Sequence, residues 1–451
     1  DERRRIGAHY TSEKNILKVI EPLFLDDLRA EFARLKALKR EREQKLEEFH
    51  TRLSKLKFFD PACGCGNFLV IAYRELRDLE IELLKELHPS KQLVTDIGLY
   101  TKINVDQFHG IEIEEFPARI AEVAMWMTDH IMNVKLSKAF GQNYLRIPLK
   151  AAPNIRHGDA LEIDWAEVLA PNECAFVFGN PPFIGKHLMS ETQNAQMERI
   201  FNGRGGSLDF VCAWFVTAAE YIQSGNARIA FVATNSISQG EQVSHLWPIL
   251  FDKFLLEISF AHRTFEWMSD ARGRAHVHCV IVGLVKRETQ NIEKRLFTYN
   301  DIRSDPHESK VIAIAPYLFD ASKLTDPHIV VYPRSKPICE VPEIMYGNKP
   351  VDNGELLFTT EEMDEFIKLE PSAERYFKPL VSAHEYLSGK QRWCLWLNGV
   401  EPHTLRQMPE VMKRVELVKK FRSASTKAPT REAANRAWLF AEIRQPNDAY
   451  I

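Results

Sequence analysis

Phe58-Phe59-Asp60-Pro61-Ala62-Cys63-Gly64-Cys65-Gly66-Asn67-Phe68 is the stretch on which the reading of this chain turns. A short apolar strand, Lys57–Asp60, runs into a turn with glycines two apart, and Asn67–Leu87 continues with helical spacing. Gly64 and Gly66 allow a sharp bend and the close approach of a ligand where a Cβ would clash. The dinucleotide-binding fingerprint requires a third glycine; here Phe68 and Leu69 follow instead.

Outward from this turn, strand and helix patterns alternate. Strands are expected at 107–113, 154–157, 174–179 and 227–234, with helices at 116–134, 208–223 and 240–251 between or after them. Two further strands, 255–262 and 276–285, lack a crossover helix and are expected to pair antiparallel at one end. Such alternation predicts a doubly wound, mostly parallel α/β sheet covered on both faces. Before it, 12–57 reads as a helical segment or hairpin rich in Arg, Lys, Glu and Leu. Beyond about residue 300 prolines accumulate, so 301–334 is expected as a linker and 335–451 as a second, α+β domain.

Three further motifs carry chemistry. Gly110-Ile111-Glu112-Ile113 ends the second strand, where a carboxylate can take the hydroxyls of a ribose. Arg156-His157-Gly158-Asp159-Ala160 places Asp159 past the third strand, either as an acceptor for an exocyclic amine or as a simple Asx turn. Val177-Phe178-Gly179-Asn180-Pro181-Pro182-Phe183 is the sharpest signal. Its prolines stop the ladder. The Asn180 side-chain carbonyl and the Pro181 backbone carbonyl can then grip both hydrogens of one planar amino group, and the Phe183 ring can stack on a base.

Taken in that order, these motifs resemble those of S-adenosylmethionine-dependent adenine-N6 DNA methyltransferases of the γ arrangement. Enzymes acting on cytosine N4 more often carry Ser in place of Asn180. The resemblance implies a class I, Rossmann-like methyltransferase domain at 58–300, preceded by the helical segment 1–57. It implies cofactor contacts from Asp60, Pro61, Ala62, Gly64, Gly66, Asn67, Phe68, Glu112, Ile113, Asp159, Ala160 and Asn180. Gly7-Ala8-His9-Tyr10-Thr11-Ser12 resembles the family's N-terminal cofactor motif, so Tyr10 and Thr11 are expected at the methionine end. The catalytic turn would be Asn180, Pro181, Pro182 and Phe183, acting on an adenine flipped out of double-stranded DNA.

Gly347–Asp352, Tyr376–Pro379 and Tyr386–Leu397 further resemble the target-recognition region of the MmeI-like single-chain restriction–modification enzymes. Lys390, Arg392 and Trp393 are expected DNA contacts there, with Lys186, Arg272 and Arg274 from loops of the first domain. Residues 401–451 hold ten Lys/Arg against six Asp/Glu, a local excess of basic charge. The match leaves no place for the family's nuclease domain, which is expected in a missing part of the chain.

Composition sets the outer limits. The chain has 451 residues, enough for two or three domains, and a net charge of −3, so any nucleic-acid surface must be local. No window approaches a membrane span. Seven scattered cysteines without a CxxC pair fit a reducing cytoplasm rather than a disulfide scaffold or zinc ribbon. His276 and His278 share one face of a strand, but no further ligands are spaced for a metal. Two rival readings remain open at this point: a methyltransferase acting on an RNA base or a protein glutamine, and a non-catalytic cofactor-binding specificity subunit.

Overall fold

The computed structural model describes residues 12–89, 100–141, 152–267, 277–288, 292–336, 339–341 and 346–445. The chain divides into two compact units, Asp1–Pro333 and Arg334–Ile451. Tyr10, Thr11, Arg272, Arg274 and His276 lie outside the described residues.

The first unit is built on a nine-stranded sheet. In chain order the strands are β1 (Phe58–Asp60), β2 (Phe108–Glu112), β3 (Asn154–His157), β4 (Phe176–Gly179), β5 (Arg228–Thr234), β6 (Leu256–Trp267), β7 (Val277–Lys286), β8 (Lys294–Thr298) and β9 (His307–Val311). Their spatial order is β3-β2-β1-β4-β5-β7-β6-β8-β9. The first five are mutually parallel. β7 enters antiparallel between β5 and β6.

Side chains of these strands alternate between two apolar layers. Phe58, Phe176, Phe178, Ala230 and Val232 belong to one, and Phe59, Val177, Ile229, Phe231 and Ala233 to the other. Strands buried on both faces need apolar residues at successive positions, which is why these runs read as continuous rather than alternating. Helix Asn67–Leu87 follows β1 and helix Glu115–Phe140 follows β2.

The N-terminal segment is a bent hairpin rather than one helix. Glu13–Ile20 and Asp26–Lys36 are joined by a π-helical turn, Glu21–Leu25, that contains Pro22, whose ring removes a ladder donor. Phe24 in that turn packs on Phe58 and Phe176, with ring centroids 5.2 and 4.9 Å apart. Glu41, at a left-handed φ of 55°, then starts Arg42–Leu53.

The expected linker needs correction. Within 301–334, β9 pairs antiparallel with β8 at the sheet edge, and Ile314 and Leu318 are buried in the main core. Prolines at edges and turns are compatible with a sheet border, so proline density alone overstated the break.

The second unit has a three-stranded antiparallel sheet. β10 (Leu357–Phe358), β11 (Phe377–Pro379) and β12 (Trp393–Leu395) lie in the order β10-β12-β11. Helices Thr360–Leu369 and Pro409–Ser423 contribute Phe366, Val411, Val415 and Val418 to its core. No described helix is long and apolar enough to cross a membrane.

Candidate functional site

The site forms at the C-terminal ends of β1 to β4, where parallel α/β sheets place their ligands. Asp60 closes β1 and is 1% exposed. Its Oδ1 accepts the Ala62 N–H at 3.0 Å, while Oδ2 has no hydrogen-bond partner among the described residues. The chain then turns tightly: Cys63 donates its N–H to the Ile111 carbonyl at 3.0 Å, and Gly66 to the Cys63 carbonyl at 2.8 Å. Gly64 and Gly66 both take left-handed φ values, +55° and +82°. A Cβ on Gly66 would lie 3.0 Å from Ala121 Cβ, whereas Gly64 faces open space. Pro61 and Phe68 are buried and form the back of the turn, and Phe68 packs on Phe178.

Glu112 is drawn into this turn rather than left at the surface. Its Oε2 accepts the Gly64 N–H at 2.9 Å and its Oε1 the Glu114 N–H at 3.0 Å. Each oxygen keeps a further acceptor position. Burial raises the Asp60 carboxyl to about 8, and the neighbouring Glu112 charge adds to the effect. Burial also pushes Glu112 upward. Two perturbed carboxyls at the C-terminal ends of adjacent strands make this a candidate functional site. Beyond Glu112, Ile113 is 54% exposed, while Ala160 of the next loop is buried.

Asp159 does form an Asx turn, with Oδ1 accepting the Leu161 N–H at 2.9 Å. Its Oδ2 accepts from Gln196 Nε2 at 2.8 Å.

The two strongest sequence motifs meet at one glycine. A Cβ on Gly179 would sit 2.4 Å from Asp60 Oδ1, so only glycine lets β4 end against the buried carboxyl. The next residue, Asn180, is half-buried, Pro181 is buried, and Phe183 packs against both apolar layers. Sequence reading missed Gly179, although a glycine directly before Asn-Pro-Pro is visible. It also missed Trp214, whose indole donates to the Pro61 carbonyl at 3.2 Å and braces the glycine turn from a helix 153 positions further along the chain. No local signal identifies that contact.

The segment after Phe183, expected to carry Lys186 on a loop, contains helix Glu191–Ile200, started by Ser190 with Gln193 in a capping box. Lys186 is half-buried and donates to Asn194 Oδ1 at 3.3 Å.

In the second unit the expected contacts divide. Arg392 donates to Glu385 Oε1 at 3.2 Å, and the Trp393 indole donates to Thr360 Oγ1 at 3.2 Å while packing against the unit's own core. Lys390 is exposed, beside Tyr386 at 81% and Leu387 at 83% exposure, in the connection between β11 and β12. Exposed aromatic and apolar side chains beside a lysine suit a nucleic-acid contact better than the anchored Trp393 does.

Residues 36–298 match the family described as "MmeI, DNA-methyltransferase domain", and residues 325–451 match "MmeI, target recognition domain". The chain is similar to DNA methyltransferase A of Bacillus subtilis (strain 168), 39% identical over all of this chain and half of that protein. It is also similar to the solved structure of the Type IIL restriction-modification enzyme MmeI in complex with DNA. That likeness has 49% identity and a TM-score of 0.89, over 99% of this chain and 58% of that one. The chain thus spans between half and three-fifths of the length of these relatives. A glycine turn under a buried Asp60, an Asn-Pro-Pro-Phe turn set against it, and a family match over more than half of the residues lead to one conclusion: this chain belongs to the MmeI family of DNA methyltransferases.

Proposed function

We propose that this chain methylates the N6 amino group of adenine in double-stranded DNA, with S-adenosylmethionine as donor, as the modifying part of a restriction–modification protein. The observation that carries this reading is the contact of Gly179 with Asp60, which sets the amino-gripping turn directly beside the cofactor turn. The residues suit the cofactor. Asp60 offers a buried oxygen without a hydrogen-bond partner among the described residues, Gly64 faces open space, and Glu112 and Asp159 each keep acceptor capacity.

When bound, the cofactor supplies an electrophilic methyl group on a sulfonium. Everything else falls to the chain. Asp60 faces the cationic end, and Glu112 takes the ribose hydroxyls. Asp159 accepts from the adenine amine of the cofactor. Asn180 and the Pro181 carbonyl accept both hydrogens of the target amine, which frees its lone pair, and Phe183 stacks on the base. Extruding that base costs on the order of a few kcal/mol. Holding nucleophile and methyl in line supplies much of the acceleration. Lys390 and the exposed Tyr386–Leu387 pair belong to the DNA surface of the second unit.

The test is nucleoside analysis of DNA after incubation with methyl-labelled cofactor. The label is expected in N6-methyladenine, and Asn180→Ala is expected to lose at least about a thousandfold in rate, with cofactor affinity within about tenfold. Label in cytosine, or full turnover by the variant, contradicts the reading.

A further inference from the structure

Helix Glu191–Ile200 lies in the segment leading away from Asn180–Phe183, yet one of its buried side chains reaches the opposite end of the site. Gln196 is 3% exposed, and its Nε2 donates to Asp159 Oδ2 and to Glu162 Oε1, both at 2.8 Å. Arg199, two positions past the core residue Met197, grips Glu162 through Nη1 at 2.8 Å and Nη2 at 3.0 Å. The same helix is fastened to the catalytic segment. Lys186 donates to Asn194 at 3.3 Å, and Met197 shares a core with Ile184. Ile184 in turn accepts the Phe210 N–H at 2.9 Å.

One amide nitrogen carries two hydrogens, and here both go to carboxylates. Asp159 is therefore oriented from two sides, by its own Asx turn and by a helix belonging to the target-base segment. An apolar side chain at position 196 leaves Asp159 Oδ2 short of a donor in a half-buried place, whereas the exposed Glu162 keeps Arg199. Any group that binds Asp159 thus acts on a carboxylate whose position depends on the helix, and the reverse holds equally by linkage.

We propose that Gln196 is a positioning residue that couples the cofactor's adenine end to the target-base turn. With Asp159 engaged, Gln196 holds helix Glu191–Ile200 in register, and the helix holds residues 181–190 in the shape that receives the base. This rests on the methyltransferase reading above.

The experiment is amide hydrogen exchange on the full chain with S-adenosylhomocysteine as the probe. In the parent, exchange is expected to slow by at least about fivefold, the lower end of ordinary coupling, in peptides covering 60–68 and 181–201 alike. In Gln196→Leu the protection of 60–68 is expected to remain and that of 181–201 to vanish. Equal protection of 181–201 in parent and variant, or none in the parent beside a protected 60–68, overturns the coupling. Absence of protection at 60–68 in the parent instead overturns the cofactor reading itself. Gln196→Glu, which keeps the length and replaces the donor by a third carboxylate, decides the case if Gln196→Leu does not fold. If neither variant folds, Gln196 is a structural residue and the proposal fails.

Discussion

Each unit buries a charged-type residue, and the two are used in opposite ways. In the second unit Arg422 is 0% exposed and all five of its N–H groups are engaged. They donate to the carbonyls of Val351, Ala433, Arg436, Pro350 and Leu439 at 2.7–3.3 Å. In the first unit Asp60 is 1% exposed, and one of its two oxygens has no partner among the described residues. Complete satisfaction marks a residue that holds a fold. An unpartnered polar atom in a buried place is a standing cost that binding can relieve. The contrast also separates charge from function. The basic excess of 401–451 suggested a phosphate surface, but its most buried arginine is a cross-link between loops. Others are paired nearby, as in Lys413–Glu410 and Arg444–Glu442.

The largest effect expected from this contrast is Arg422→Leu. It removes a donor from five carbonyls, one buried and four part-buried, and is expected to cost at least about 3 kcal/mol in the second unit. Thermal melting should show an early transition for that unit while cofactor binding survives. A single unshifted melt would mean that Arg422 is not the cross-link described.

Asp60 supplies a sharper, chemical test. With its carboxyl at about 8, it keeps its proton at pH 6. A cationic ligand beside it favours the ionised form, so binding releases a proton. Affinity for S-adenosylmethionine is then expected to rise with pH between 6 and 8, by as much as about tenfold per unit, and to level off above. Asp60→Asn should abolish the slope. Calorimetry at several pH values with buffers of different ionisation enthalpy reads both quantities, and a flat profile in the parent would remove Asp60 from the cationic end.

The smallest expected effect belongs to the exposed side of the second unit. Lys390→Ala removes one phosphate contact, so DNA affinity should fall only about threefold, and the dependence on salt should weaken by about one counterion. Filter binding over a salt series measures it. No change in slope would place the DNA surface elsewhere.

Much of the first unit was legible in the sequence, because its signals are local. The two glycines, the carboxylate at a strand end and the paired prolines each force a backbone shape, and helix Asn67–Leu87 begins and ends where its spacing predicts. What escaped depends on distant packing. β8 and the edge strand β9 are short and carry Lys, Arg, Glu and Ser beside few apolar residues, and nothing local distinguishes them from turn-rich chain. Trp214 and Gln196 act through contacts set by the fold as a whole. In the second unit the recognition motifs pointed to the connection between β11 and β12 and its flanks. Only the structure separates Trp393, half-buried against the core, from the exposed Tyr386, Leu387 and Lys390.

The central claim is that the first unit holds the cofactor and the second holds the DNA. The most direct measurement compares the full chain with a version ending at Pro333, titrating each with S-adenosylmethionine and with duplex DNA at one salt concentration. The account predicts cofactor affinity within about tenfold in the shortened chain and DNA affinity lower by at least about a hundredfold, the loss of several phosphate contacts. A shortened chain that binds cofactor and still binds DNA as tightly as the full chain would contradict it.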